Sequence, residues 1–83
     1  MDLRVGNMVT TPSYVDLCTD PSLYYSSTIF SRYQLGIIVE LLETPDAIGR
    51  EQITYAKVLS STGHIGWCVA RFLIPASQYR RGS

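Results

Sequence analysis

The chain has 83 residues, enough for one domain and too few for two. Seven Lys plus Arg balance seven Asp plus Glu, which counts against a binder that holds nucleic acid through phosphates, because that mode needs a basic excess. Hydrophobic residues make up 46% of the chain, which excludes disorder over its whole length.

Met1 to Gly6 is a lead-in, and residues 7–11 read as a brief strand ended by Pro12. Residues 12–33 differ in character. They hold Pro12, Pro21, five serines and four of the six tyrosines, Tyr14, Tyr24, Tyr25 and Tyr33, with no surviving period of 2 or 3.6. This predicts a long excursion loop with room for an irregular hairpin of its own. Long loops of this kind are mostly functional, and tyrosine supplies contact area at low entropic cost.

Residues 35–43 form the clearest strand. Strict alternation places Leu35, Ile37, Val39 and Leu41 on one face, with Gly36, Ile38, Glu40 and Leu42 on the other. Residues 44–50 follow as a loop. Ile53 to Ser60 is the next strand, Ser61-Thr62-Gly63 a tight turn, and residues 64–69 the returning strand. Ala70-Arg71-Phe72 reads as one short helical turn and Leu73-Ile74 as a last strand stopped by Pro75, with a loose tail over 76–83. The prediction is an all-β domain of about five short strands spanning 1–83, closed or nearly closed to hide its edges.

No chemistry-bearing motif stands out. There is no Walker loop, no dinucleotide fingerprint and no HExxH, so no cofactor is expected. Cys18 and Cys68 form no CxxC pair and cannot complete a four-ligand zinc site with the one histidine, His64, so no metal is expected. A Cys–His couple lacks an oxyanion-type turn, and Glu40 and Glu43 fall on opposite faces of one strand. The chain therefore reads as a non-enzyme. Apolar surface is its more informative feature. The expected outward sets include Ile38 and Leu42 on one strand and Ile53, Tyr55 and Leu59 on the next, more than a free barrel needs. Either the 12–33 excursion or another subunit covers them. Trp67, opposite in phase to Cys68, is either an exposed anchor or a ring covered by that excursion.

The C-terminal third resembles the second half of an SH3 domain, through Ala56-Lys57-Val58-Leu59, the Ser61-Thr62-Gly63 turn, and Gly66-Trp67-Cys68-Val69-Ala70-Arg71-Phe72-Leu73. The resemblance implies that Ala56, Cys68 and Leu73 point inward, and that 70–72 is the family's 3₁₀ turn. It also implies that 12–33 stands in place of the family's long first loop. The family's ligand-contacting Trp falls near Ile53 and its Pro at Val69, with Phe72 alone keeping an aromatic, so a proline-peptide groove is incomplete. Gly6-Asn7-Met8-Val9 and Gly36-Ile37-Ile38-Val39 are similar to KOW-like barrels of ribosome and transcription proteins, and the strand-plus-hairpin pattern is similar to small phage proteins.

Together these readings give an SH3-like barrel acting as a non-catalytic protein-interaction or structural assembly subunit, by self-association or with a protein partner, and the phage likeness implies a virion component. The contact residues expected are Tyr14, Tyr24, Tyr25, Tyr33, Ile53, Tyr55, Trp67 and Phe72. The alternative is a KOW-like nucleic-acid or ribosome-associated module using Arg71, Arg80 and Arg81. Residues 1–30 show no charged leader followed by an apolar run, and the longest apolar runs are too short to span a bilayer as a helix. A soluble location is expected, in the host cytoplasm or in a virion, with no membrane partner.

Overall fold

β-branched and apolar residues at alternating positions, broken by Gly and Pro, fold this chain into strands joined by short turns. A computed structural model describes residues 3–21, 26–45 and 52–78. The strands are β1 (Met8–Thr10), β2 (Val15–Cys18), β3 (Ser26–Phe30), β4 (Gly36–Pro45), β5 (Gln52–Ser60), β6 (Ile65–Val69) and β7 (Ile74–Pro75). They form one antiparallel sheet in the order β3-β2-β6-β5-β4-β1-β7. The sheet curls into a half-barrel that is compatible with an SH3-like barrel. A 3₁₀ turn, Ala70–Phe72, joins β6 to β7 where the sequence places it.

The five strands expected from sequence are β1, β4, β5, β6 and β7. The other two are the irregular hairpin within 12–33, formed by β2 and β3 with a register shift between Leu17 and Cys18. Two glycines let this hairpin settle on the sheet. A Cβ at Gly66 would lie 2.7 Å from Leu17 Cβ and 3.1 Å from the Cys18 carbonyl oxygen. A Cβ at Gly36 would lie 2.7 Å from Val58 Cγ1 and 3.1 Å from Phe30 Cε1. The missing side chains are thus the space in which Leu17 and Phe30 become fully buried.

The first half of β4 faces the other way from its sequence reading. Ile38 is 0% exposed, whereas Leu35, Ile37 and Val39 are exposed. The cause is a β-bulge. Ile37 pairs with Leu59 and Ile38 with Val58, but the next paired residue is Glu40, opposite Lys57. Val39 is the extra residue, and it shifts the side-chain phase by one. Beyond it Leu41 faces inward and Leu42 outward, as strict alternation predicts. The expectation of an outward Ile38 is therefore corrected: Ile38 is core, and Leu35, Ile37 and Val39 take the outside.

The core joins Val9, Val15, Leu17, Phe30, Ile38, Ala56, Val58, Cys68, Ala70 and Leu73, with Leu3 and Leu41 against its margin. Ala56, Cys68 and Leu73 point inward, as the SH3 likeness implies. Every buried side-chain nitrogen and oxygen among the described residues has a hydrogen-bond partner. Gln34 ties three segments together. Its carbonyl accepts from Thr10 Oγ1 at 2.8 Å, its Nε2 donates to Thr62 Oγ1 at 3.0 Å, and its Oε1 accepts from Ser31 N–H at 2.9 Å. The Ser61–Gly63 turn closes through Gly63 N–H to the Ser60 carbonyl at 2.9 Å, with Gly63 at φ +90°. Pro75 is the last residue of the edge strand β7, where no ladder donor is required of it. The tail expected from 76 begins with a second 3₁₀ turn, Ala76–Gln78.

Candidate interaction surface

The outer face of the sheet carries a row of apolar side chains set by strand register. Met8 on β1 pairs with Ile37 on β4, Ile37 pairs with Leu59 on β5, and Leu59 pairs with Ile65 on β6. Cross-strand partners share a face, so the four form a continuous line across four strands. Leu35 joins it through the groove it lines with Met8, Ile37 and Leu59, and the bulged Val39 lies on the same strand. All six are between 38% and 51% exposed. An unfolded chain exposes about 1.45 Å² per dalton, so these fractions leave on the order of 400 Å² of these six residues open to solvent. The largest apolar patch on a typical monomer covers about 300–600 Å² and is often functional, and this row falls in that range.

The next row along the strands is charged. Glu40 on β4 pairs with Lys57 on β5, their charged atoms 4.0 Å apart. Lys57 in turn pairs with Trp67 on β6, and its Nζ stands 5.9 Å from the ring centroid. Trp67 is 6% exposed, and Cys18 of β2 pairs alongside it. Of the two sequence readings for Trp67, the covered ring is the one found: the 12–33 segment supplies the strand beside it. Leu42 and Tyr55 form the following row, with Tyr55 also opposite Val69. Ile53 and Tyr55 are half-buried.

Other expected contact residues lie elsewhere. Tyr14, 71% exposed, and Phe72, 44% exposed, flank a cleft between β2, β6 and the 3₁₀ turn, which Asp16, Cys18, Cys68 and Val69 also line. Arg71 places its guanidinium 5.3 Å from the Phe72 ring centroid. Tyr33 stands apart in the turn before β4, at φ +64°, with Arg32 stacked 4.7 Å from its ring. Tyr24, Tyr25, Arg80 and Arg81 lie outside the described residues. The structure thus brings Tyr14 and Phe72 together and separates both from the apolar row.

The two cysteines in the cleft are free and buried. Burial, then the neighbouring Cys18, pushes the Cys68 thiol up to about 12 from its ordinary 9.0. Cys18 is also raised, by burial and then by the carboxylates of Asp16 and Asp20. Both thiols are therefore held in the protonated, weakly nucleophilic form at neutral pH.

Sequence reading found Leu59 and Leu42 as outward apolar residues but missed Met8, Leu35, Ile37, Val39 and Ile65. Their signal is lateral register, which periodicity along one strand does not contain. Among the described residues, no helix is long and apolar enough to cross a membrane. Compared with known proteins, the chain matches no family model, no curated protein and no solved structure.

Proposed function

We propose that this protein is a non-catalytic interaction module, a structural or assembly subunit whose working surface is the outer face of β1, β4, β5 and β6. The observation that carries this reading is the exposed row Met8–Ile37–Leu59–Ile65, uninterrupted by charge across four strands. Burying such side chains stabilises a complex by about 25 cal/mol per Å², an incentive that a solvated sheet face otherwise forgoes. A virion component, as the phage likeness implies, is one form such a subunit takes, and the SH3- and KOW-like likenesses supply its barrel. The nucleic-acid alternative has weaker support. Arg71 is occupied against Phe72, and the chain carries equal numbers of basic and acidic residues.

A photo-reactive phenylalanine analogue at position 37, with Ser77 as an exposed control position, tests the proposal in cells that make the protein. Covalent adducts from position 37 and none from position 77 are expected. A position-37 probe that gives no adduct refutes the reading.

A further inference from the structure

We propose that the partner of this face is a second copy of the chain, packed sheet to sheet about a two-fold axis that runs along the strands between β4 and β5. The inference rests on the interaction role proposed above and names its occupant. Three observations favour a self-complementary face.

The first is register. A two-fold axis along the β4–β5 seam sets each β4 residue over the β5 residue that is its own cross-strand partner. Ile37 then meets Leu59 of the second copy, and Met8 meets Ile65. The second is charge. The same operation sets Glu40 over Lys57 of the second copy, twice, because Glu40 and Lys57 are register partners. An ion pair that closes on itself within one sheet also closes between two copies, and this is the matching an isologous interface requires. Seven basic and seven acidic residues leave two copies with no net repulsion.

The third is area. A standard interface covers about 800 Å² per partner, of which about 56–65% is non-polar, or about 450–520 Å². The open area of the six apolar residues, on the order of 400 Å², is close to that share. Two sheets stacked this way form a sandwich with an apolar centre and a charged border on the Glu40–Lys57 side.

Sedimentation velocity on the full chain across the micromolar range tests the proposal, with salt kept low so that exposed charges are felt. The wild type is expected to sediment as a dimer. Ile37→Lys, at an exposed position, is expected to keep the wild-type circular dichroism spectrum and raise the dimer dissociation constant at least about tenfold, since it sets a charge into the apolar centre. Glu40→Lys and Lys57→Glu each place like charges across the seam and weaken the dimer by about threefold to tenfold. An equal mixture of these two variants restores both opposite-charge contacts, so it dimerises more tightly than either alone. A merely structural role for the pair predicts no rescue by mixing.

A wild type that remains monomeric at several hundred micromolar, or a mixture no tighter than its components, overturns the inference. The position-37 cross-link separates the two failures. A monomeric chain with an adduct of another mass overturns the dimer and keeps the interaction role. The lack of any adduct removes both.

Discussion

Replacing Gly66 by alanine tests whether the β2–β3 hairpin rests on the sheet as described. Gly66 does not have the left-handed backbone that favours glycine, so alanine there meets no conformational penalty. By the entropy of the unfolded chain alone, Gly→Ala stabilises by about 0.4–1 kcal/mol. The structure predicts the opposite sign. The new methyl carbon falls 2.7 Å from Leu17 Cβ, 3.0 Å from the Leu17 carbonyl carbon and 3.1 Å from the Cys18 carbonyl oxygen. Two of these are backbone atoms, and Leu17 is fully buried, so the strand must shift as a unit. Overpacking of this kind costs about 1–3 kcal/mol, leaving a net loss of about 1.3 kcal/mol at the middle of both ranges after the entropic gain. For a domain of this size each kcal/mol lowers Tm by about 4–8 °C, so a fall of about 5–10 °C is expected in a thermal melt followed by circular dichroism. An unchanged or raised Tm would refute the close crossing of β2 over β6.

Paired truncations on β4 separate the two phase assignments. Ile38→Ala should cost about 2–5 kcal/mol and Ile37→Ala under about 0.5 kcal/mol in urea unfolding of the monomeric protein, the reverse of what unbroken alternation requires. Gln34→Ala removes one side-chain hydrogen bond within the 31–34 turn, from Ser31 N–H, and one that joins the turn to Thr62, and should lower stability by about 1–2 kcal/mol. Alkaline pH should destabilise the fold through Cys68. The folded thiol titrates near 12 and the unfolded one near 9.0, so the unfolded state loses its proton first. Stability is intact below about pH 9 and falls as pH rises from there towards 12, and Cys68→Ala should flatten that limb of a Tm–pH profile.

Much of the architecture is legible from local chemistry. Ser61-Thr62-Gly63 announces its turn because Gly63 must adopt a positive φ, and the period-2 alternation of buried Ala56, Val58 and Ser60 against the more open Lys57 and Leu59 survives intact in β5. The 3₁₀ turn at Ala70–Phe72 is likewise visible in the break between two short apolar runs. β2 and β3 are hard to read because their partners hold them: Leu17 is buried by what Gly66 leaves empty, a relation between residues 49 positions apart. The phase of β4 is hidden for a related reason. Leu35, Ile37, Val39 and Leu41 present an unbroken apolar series, and nothing within β4 itself marks Val39 as supernumerary. Only the pairing of Glu40 with Lys57 reveals it. The apolar row was out of reach along with it, since its members belong to four separate strands. Tyr14 and Phe72 were visible as aromatics, but their common cleft depends on the same hairpin crossing.

The extra residue at Val39 gives β4 two opposite rules for tolerating mutation within ten positions. Before it, odd-numbered sites look outward and even-numbered ones carry the fold; after it the assignment is inverted. Substitutions at 35 and 37 would change only the exposed apolar row, while substitutions at 36, 38 and 41 would erode whether the chain folds at all. Deleting Val39 would remove the bulge and leave one unbroken alternation, with Ile37 still outward, Ile38 still inward and Glu40 outward beside it, so the two rules would merge into one without any residue changing face.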